Sequence, residues 1–249
     1  MTDLAVIMGA TGGLGTIVDA FASRGDRVIA VARSRSDVSQ LASKYTTSPS
    51  PSGGGQGGGG VTGDTADLTS RLEVDELWER IDGVGVPRWV VNATGGYRAG
   101  KVVDSTPDDF TFMMDLNLGS AWWSCRAAAR RMQRVTSPSS SGGGQGGAIV
   151  NVSSRSGLVA EPGAAAYAVA KAGVITLTEV LAAELKTSGV RVNVVVPALI
   201  DTPVNRQALP EKVMQKAVAP AEIAAVIAYL CSDAAMAITG AAIPVYGKY

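Results

Sequence analysis

Two residues that can move a proton, Tyr167 and Lys171, stand four positions apart in a segment with a helical pattern. That spacing places both side chains on one face of a helix. The chain contains no histidine, so the usual acid–base group at neutral pH is missing. A tyrosine has an ordinary pKa near ~10, but a nearby ammonium group stabilises its phenolate. The pair therefore indicates a phenol that donates and accepts a proton with help from a lysine.

Two serines precede the tyrosine, Ser153 by 14 residues and Ser154 by 13. Both follow the apolar run "AIVNV", which predicts a buried strand. A serine at the end of that strand can hydrogen-bond a carbonyl or alkoxide oxygen. Taken singly, a tyrosine and a lysine on a helix are usually surface neighbours, and such a serine is usually a turn former. Their chemistry depends on the elements that bring them together.

Strand and helix patterns alternate along the chain. The strand candidates are short, apolar and rich in valine and isoleucine, which is typical of strands buried on both faces. They are residues 4–9, 27–32, 61–64, 88–93, 148–153, 190–196 and 242–246. Helical patterns cover residues 13–24, 36–44, 67–82, 107–134, 164–188 and 220–232. The fourth helix opens with Thr106, Pro107 and Asp109, which predict an N-cap, a first-turn proline and a capping box.

This alternation predicts a single α/β domain over residues 1–249, a doubly wound, seven-stranded parallel sheet with helices on both faces. Two glycine- and serine-rich tracts, 46–60 and 136–147, interrupt the pattern and are nearly copies of each other. Such composition cannot bury enough apolar surface to offset chain entropy, so both are predicted to be flexible loops. Each follows a helix and precedes a strand, which places it at the edge opposite the carboxyl ends where ligands bind.

The first strand runs into "GATGGLG", Gly9 to Gly15, ahead of the first helix. Glycines at this point allow a tight turn and let a phosphate approach backbone N–H groups at a helix N-terminus. A glycine triplet alone is weak support for a nucleotide site. Its position between the first strand and the first helix makes the interpretation much stronger.

The end of the second strand bears on the choice of dinucleotide. An acidic residue there would bind a ribose 2′-hydroxyl and repel a 2′-phosphate. This chain has Ala32 in that place, followed by Arg33 and Ser34. Arg33 can pair with a phosphate, so the sequence favours NADP(H) over NAD(H). Asp37 is the nearby acidic residue that argues for NAD(H).

Composition narrows the class of protein. The 249 residues are 46% hydrophobic and carry 22 basic and 22 acidic side chains, which argues against a broadly basic surface for nucleic acid or anionic membrane. We find no apolar run near the ~20 residues of a membrane span and no leader pattern, so a cytoplasmic protein is expected. Two cysteines, Cys125 and Cys231, are too few for a disulfide framework, and without histidine a metal site is not expected.

Taken together, the motifs resemble those of the short-chain dehydrogenase/reductase family, in its compact form of roughly 250 residues. The resemblance rests on "GATGGLG", "VVNATGG" at 90–96, "DLNLGSAWW" at 115–123, "VSSRSG" at 152–157, "YAVAK" at 167–171 and "VNVVVPALIDT" at 192–202. They occur in the family's order across nearly the whole chain, outside the two glycine-rich tracts. The resemblance implies a Rossmann-type domain and interconversion of a ketone and a secondary alcohol.

The resemblance also implies roles for individual residues. The catalytic tetrad would be Asn117, Ser154, Tyr167 and Lys171, with Tyr167 as proton donor in reduction, Ser154 orienting the carbonyl and Lys171 lowering the tyrosine pKa and holding the nicotinamide ribose. Asn117 would hold a water that links the lysine to solvent. The implied cofactor contacts, besides Arg33, Ser34, Tyr167 and Lys171, are Gly9, Thr11, Gly13, Leu14, Gly15, Asp64, Thr65, Asn92, Ala93, Gly95, Pro197, Ile200 and Thr202.

Departures from the family's pattern weaken any inference about the substrate. Thr94 is an extra polar group beside the cofactor, Ala198 follows Pro197 where the family often has glycine, and the ending "IPVYGKY" is unusual. The substrate is expected near residues 94–101, 155–163 and 198–218, with Tyr97 and apolar side chains, and with Arg98 and Arg155 as candidate anchors for an anionic group. The apolar side chains are Leu158, Val159, Ala160, Leu199 and Val204.

The hypothesis is an NADP-dependent carbonyl reductase or alcohol dehydrogenase, with a 3-oxoacyl thioester, a sugar or steroid ketone, or a reduced pteridine as candidate substrates. Alternatives are an NAD-dependent alcohol dehydrogenase and a cofactor-binding regulator without turnover. The resemblance further implies a homodimer or homotetramer formed through the fourth and fifth helices and the C-terminal strand. Trp122 and Trp123 fit either that interface or the core.

Overall fold

The computed structural model describes residues 2–46, 60–136 and 146–247. The predicted strands are all present, although most begin or end a residue or two from the expected positions. They are β1 (Leu4–Met8), β2 (Arg27–Ala32), β3 (Val61–Thr65), β4 (Trp89–Asn92), β5 (Ala148–Val152), β6 (Arg191–Pro197) and β7 (Ala242–Val245). All neighbours pair in parallel in the order β3-β2-β1-β4-β5-β6-β7. The predicted fold class is therefore confirmed as a seven-stranded, Rossmann-type sheet.

Helices connect the strands and cover both faces of the sheet. They are α1 (Thr16–Ser23), α2 (Arg35–Thr46), α3 (Arg71–Asp82), α4 (Pro107–Met114), α5 (Ser120–Thr136), α6 (Ala165–Glu184), α7 (Pro203–Ala208), α8 (Glu211–Met214) and α9 (Pro220–Leu230). The predicted capping box of α4 is present: Asp109 N–H donates to the Thr106 hydroxyl, and the Asp109 carboxylate accepts from Thr106 N–H. The short helices α7 and α8 were not predicted from sequence.

The sheet is buried on both faces, as its apolar strands require. In β1, Ala5 and Ile7 contribute to one hydrophobic cluster, together with side chains of α1 and α9. Leu4 and Val6 contribute to the opposite cluster with side chains of α3 and α5. Alternate residues of a strand point to opposite faces, so one strand supplies both cores. The sheet is thereby held between two hydrophobic clusters, and the carboxyl ends of its strands form the edge where a ligand can bind.

The glycine- and serine-rich tracts fall almost entirely outside the described residues, so the prediction that they are loops stays a prediction. The described residues next to them, Gly60, Gly146 and Gly147, lead directly into the amino ends of β3 and β5. At those two points the connection lies at the amino edge of the sheet, as expected.

Helix α6 corrects one expectation from composition. It is 20 residues long and contains an 18-residue stretch with a mean hydropathy of 1.4, so by length and composition alone it could cross a membrane. Lys171 and two glutamates interrupt its apolar residues, so it contains no continuous apolar run of that length. In the folded chain Val174 and Leu181 of this helix are buried in the hydrophobic clusters that include the sheet.

Candidate active site and cofactor cleft

Helix α6 brings the tyrosine and the lysine to the carboxyl edge of the sheet. Its first residue is anchored by a backbone bridge, because Ala165 N–H donates to Gly100 O at 3.1 Å. Nearly two turns further along, Lys171 is only 4% exposed. Its Nζ donates a hydrogen bond of 3.1 Å to Val152 O, at the end of β5, and lies 5.8 Å from the centroid of the Tyr167 ring. Tyr167 and Lys171 therefore share one face of α6, and the lysine on that face is buried.

The two serines after β5 have different partners. Ser153 is buried and its hydroxyl donates 2.7 Å to the backbone oxygen of Lys171, so it fastens α6 to the strand. Ser154 has extended backbone and accepts a hydrogen bond of 3.3 Å from Ser156 N–H, and its side chain is close enough to the Tyr167 phenol to lower the pKa of that phenol. The serine that faces the tyrosine is thus Ser154, which the sequence analysis preferred.

Asn117 lies in a π-helical turn, Asp115–Gly119, inserted between α4 and α5. Its amide is 1% exposed and clamps the backbone of Gly96: Nδ2 donates 3.1 Å to Gly96 O, and Oδ1 accepts 3.2 Å from Gly96 N–H. Sequence reasoning predicted one continuous helix over 107–134 and missed the extra residue per turn. Such π-turns are frequent at functional sites because they redirect single side chains.

Burial dominates the electrostatics of the tyrosine and the lysine. Burial lowers the pKa of Lys171 from 10.5 to about 8. Burial also raises the pKa of Tyr167, while the hydrogen bond with Ser154 acts in the opposite direction. The expected fall in the tyrosine pKa through Lys171 is therefore not seen in the chain without cofactor. At neutral pH the phenol is protonated and the lysine mostly carries its charge.

The glycine turn after β1 lies directly against the loop after β4. Gly9 has a φ of +80°, a backbone conformation that side chains with a Cβ rarely adopt. A Cβ on Gly9 would stand 2.8 Å from the backbone nitrogen of Thr94, and a Cβ on Gly13 would stand 2.7 Å from the Thr202 methyl carbon. Gly15 N-caps α1. The turn is therefore packed too tightly for side chains at its glycines and opens towards the carboxyl edge.

The comparisons with known proteins agree with this geometry. A family model described as short chain dehydrogenase matches residues 3–213. The chain belongs to the short-chain dehydrogenase family. Members of this dehydrogenase family use NAD(H) or NADP(H) and act on alcohols and ketones, so the chain is an NAD(P)-dependent oxidoreductase of that kind.

Individual relatives of this dehydrogenase cover nearly its whole length. It is 31% identical to galactitol 2-dehydrogenase of Rhizobium johnstonii, over 91% of this chain and 86% of that protein. It is 30% identical to the 3-oxoacyl-[acyl-carrier-protein] reductase FabG of Thermotoga maritima, over 97% and 95% respectively. A crystal structure of a short chain dehydrogenase from Mycobacterium smegmatis superposes with a TM-score of 0.82 at 27% identity, covering 100% of this chain and 93% of that chain.

A cavity of about 290 Å³ lies between the glycine turn of the dehydrogenase and the loop after β4. Its lining includes Thr11, Ala93, Thr94, Gly95 and Arg33. The hydroxyl oxygen of Thr94 is buried and has no hydrogen-bond partner among the described residues. Close glycine packing, an unsatisfied hydroxyl and an adjoining arginine fit a bound dinucleotide, which offers phosphate and ribose oxygens at this edge.

Two predicted contacts are directed away from that cavity. The Asp64 carboxylate forms a bidentate ion pair with Arg80, with Nε to Oδ2 at 3.0 Å and Nη2 to Oδ1 at 2.9 Å, and Thr65 O accepts from the same guanidinium. The cavity is lined by Asp67 and Leu68 instead, one turn of chain later. The chain runs a few residues beyond β3 before it reaches the cleft. The sequence feature that could have indicated this position is the second acidic residue of "GDTADL", Asp67.

Two further predicted contacts serve the interior. Leu14 is 6% exposed and packs in the core cluster that includes α1 and α9. Asn92 is buried beneath the cleft, where its amide accepts 2.6 Å from the Ser124 hydroxyl and donates 2.8 Å to Asn151. Both residues support the cleft from below.

The segment after β6 closes the other side of the cleft. Thr202 N-caps α7 by accepting 3.2 Å from Asn205 N–H, and its methyl group faces Gly13. Ile200 pairs with Val218 in a short parallel bridge, and Pro197 ends β6. These residues hold the loop against the glycine turn, which brings three separate stretches of sequence to one edge.

Arg33 and Ser34 lie at the outer end of the cleft. With Thr11 and Asp37 they border a second cavity of about 400 Å³, and the Arg33 side chain is exposed. Ser34 accepts a hydrogen bond of 3.3 Å from Asp37 N–H in the first turn of α2. Arg33, which favours NADP(H), and Asp37, which argues for NAD(H), therefore border the same outer cavity.

The expected substrate mouth is apolar. The Tyr97 ring packs edge-on against Tyr167 at 5.2 Å between centroids and an angle of 78°, and Tyr97 itself is 64% exposed. The two arginines expected as anchors for an anion are already paired with carboxylates, Arg98 with Asp109 and Arg155 with Glu161. Neither presents an unneutralised charge, so the expectation of an anion anchor is not supported.

Proposed function

We propose that the chain is an NADP-dependent oxidoreductase that interconverts a ketone and a secondary alcohol, with Tyr167 as proton donor and acceptor. One observation carries this proposal: Tyr167 lies beside Ser154, with its ring centroid 5.8 Å from the Nζ atom of the buried Lys171, at the edge of the sheet where the glycine turn opens. No imidazole is present anywhere in the sequence to perform the proton transfer.

The residues divide the work as follows. Bound NADPH supplies a hydride at this edge. Ser154 donates a hydrogen bond to the substrate carbonyl and holds it against the phenol. Tyr167 passes its proton to the oxygen as negative charge develops there. Lys171, charged below pH 8, stabilises the phenolate that remains, and Asn117 keeps the loop of Gly95 and Gly96 in register beside it.

The direction of the pKa shifts favours reduction at neutral pH. Because burial raises the Tyr167 pKa, the phenol is protonated and ready to donate. Oxidation of an alcohol needs the phenolate, which is scarce at that pH. Relatives named for both directions exist, so this statement concerns the chain's own groups.

The experiment compares the wild type with Tyr167→Phe on a panel of ketones with NADPH. We expect the variant to lose at least about a hundredfold in kcat/KM, since proton transfer alone contributes about 10²–10⁴-fold. Its NADPH affinity and thermal stability should match those of the wild type. Tight NADPH binding by the wild type without turnover of any ketone would instead identify a cofactor-binding regulator.

The preference for NADP(H) rests on Arg33. Its exposed guanidinium borders the outer cavity, where a 2′-phosphate would form charge-assisted hydrogen bonds. Arg33→Ala should weaken NADPH binding about tenfold or more and leave NADH binding nearly unchanged. Asp37→Asn is the matched control, because loss of that negative charge should not weaken NADPH binding. Equal loss for both cofactors would contradict the assignment and favour the NAD-dependent alternative.

We propose an uncharged, apolar ketone as the substrate class, of the kind carried by a 3-oxoacyl thioester rather than by a sugar. The mouth exposes Tyr97, Leu158 (48%), Val159 (39%) and Val204 (73%). Apolar walls bind an acyl chain and offer few partners for hydroxyl groups. Matched pairs of ketones with alkyl or polyhydroxylated chains test this class: a kcat/KM that favours the polyhydroxylated member would overturn it.

We further propose a homodimer or homotetramer formed through α4, α5 and α6. The apolar side chains these helices leave exposed include Trp122 (49%), Val169 (56%) and Val180 (50%), whereas Trp123 packs on the core. Light scattering measures the assembly directly, and Trp122→Glu should shift it towards monomer.

A further inference from the structure

Thr94 differs from the other residues that line the cofactor cavity. Its hydroxyl oxygen is buried with no hydrogen-bond partner in the part of the chain that the structure describes, although the residue as a whole is partly exposed and lines the cavity. A buried hydroxyl left unpaired is destabilising, and such groups are rare enough in folded proteins to need a reason.

The surroundings of Thr94 show what that reason is. A Cβ on Gly9 would stand 2.8 Å from both the backbone nitrogen and the hydroxyl oxygen of Thr94. The side chain therefore lies directly beneath the first glycine of the turn. On the other side of Thr94, Gly95 faces Lys171 and Asn117. Thr94 is thus placed between the phosphate end and the reacting end of the cleft.

We propose that Thr94 is a cofactor-binding residue whose hydroxyl hydrogen-bonds an oxygen of the dinucleotide's ribose–phosphate backbone. Rotation about the Cα–Cβ bond moves the hydroxyl without moving the backbone, and a cofactor oxygen then supplies the partner that the protein lacks. This inference rests on the proposed function only in that the chain binds a dinucleotide cofactor, and it does not depend on turnover of a ketone. It deepens that function by adding a residue outside the expected contact set.

The test uses Thr94→Val, which keeps the shape of the side chain and removes only the hydroxyl, and Thr94→Ser, which keeps the hydroxyl. Thr16→Val is the matched control. The Thr16 hydroxyl is also buried without a partner, but Thr16 does not line the cavity. Dissociation constants for NADPH come from calorimetry, and melting temperatures of the cofactor-free proteins from calorimetric scans.

We expect Thr94→Val to bind NADPH about five- to tenfold more weakly, Thr94→Ser to bind within about twofold of the wild type, and Thr16→Val to bind like the wild type. We also expect the cofactor-free Thr94→Val protein to melt no lower than the wild type, because it no longer buries an unpaired hydroxyl. A residue that serves only packing would show the reverse: a lower melting temperature with unchanged affinity.

Binding of ADP separates the two sources of the oxygen. If the partner is a phosphate, Thr94→Val weakens the binding of ADP and the binding of NADPH by the same factor. If the partner is the ribose of the nicotinamide half, only the affinity for NADPH falls, and the affinity for ADP is unchanged. Thr94→Val with wild-type affinity for both ligands would overturn the proposal, whereas a wild type that binds NADPH without turning over ketones would overturn only the proposed activity.

Discussion

Lys171 and Asn117 meet on one side of Gly95. A Cβ on that glycine would stand 2.9 Å from the lysine Nζ and 2.7 Å from the asparagine Oδ1. The two side chains come from helices separated by β5, and the missing side chain of Gly95 lets both reach the same point. The ammonium is thereby held at the edge of the cofactor cavity, which Gly95 also lines.

Gly95→Ala tests this contact directly. The lysine end can shift, but the Asn117 amide is fixed by its two hydrogen bonds with Gly96. We expect a loss of at least about tenfold in kcat for ketone reduction, because misplaced catalytic groups are costly, with a loss of stability near ~1 kcal/mol. Gly25→Ala has open space around its Cβ but a φ of +89°, so it serves as a control for stability without an effect on kcat. An alanine at 95 with wild-type turnover would show that the packing has no catalytic consequence.

Lys171→Met should stabilise the protein at neutral pH while abolishing activity. The folded pKa of Lys171, about 8, is below its ordinary value of 10.5, so the unfolded chain holds a proton that the folded chain releases between those values. Stability from this group therefore rises with pH from about 8 to 10.5, and the penalty of the buried charge is fully present below 8. The shift corresponds to roughly 3 kcal/mol.

Chemical denaturation of wild type and Lys171→Met at pH 7, 9 and 10.5 measures the effect as a difference, which cancels the titration of other groups. The advantage of the methionine variant should shrink as the pH rises. A gap that stays constant or widens with pH would mean that the lysine is not buried as an ammonium.

The pH profiles of the two reaction directions should diverge. Reduction needs the protonated phenol and the charged lysine, so kcat/KM for a ketone should be flat near pH 7 and fall above about 8, where Lys171 loses its proton. Oxidation needs the phenolate, whose pKa is raised, so it should still be rising at pH 10. Lys171→Arg keeps its charge, and its reduction profile should lose the descending limb near 8. A descending limb unchanged in that variant would assign it to another group.

A buried polar network beneath the cleft should govern stability. Asn151, fully buried in β5, accepts 2.8 Å from Asn92 Nδ2 and donates 2.9 Å to the Thr178 hydroxyl of α6, which donates onward to Val174 O. Asn151→Ala should cost about 3 kcal/mol of unfolding free energy, because it leaves partners unpaired and opens a void. Thr178→Val should cost about 1–2 kcal/mol.

Urea unfolding of both single variants and of the double variant checks this network. Since the two residues share one hydrogen bond, their losses should add to more than the loss in the double variant. Thr62→Val is the control: Thr62 is an exposed residue of β3 whose hydroxyl donates only a long hydrogen bond of 3.3 Å to Val28 O, so the change should alter stability by less than about 0.5 kcal/mol. Fully additive losses would show that the two side chains do not act together.

Local pattern was sufficient for the fold because buried parallel strands and their connecting helices carry their period in the sequence. The strand "AIVNV" and the capping box at Thr106 were each read from neighbours a few residues apart. Contacts over longer distance could not be read in this way. The resemblance implies a cofactor contact for Asp64, and its ion-pair partner Arg80, from the far end of the next helix, is visible only in the folded chain. Arg98 and Arg155 likewise gained their carboxylates only on folding.

The sequence by itself determined the alternating architecture, the glycine turn and the spacing that puts Tyr167 and Lys171 on one helical face, because each depends on periodicity or on a residue type within one segment. Only the tertiary structure decided that Ser153 bonds the backbone of α6, that the ammonium is buried, and that Thr94 lies beneath Gly9 without a partner among the described residues. Those outcomes depend on how separate strands align at one edge. Burial and hydrogen-bond partners are properties of that alignment, and no single segment contains them.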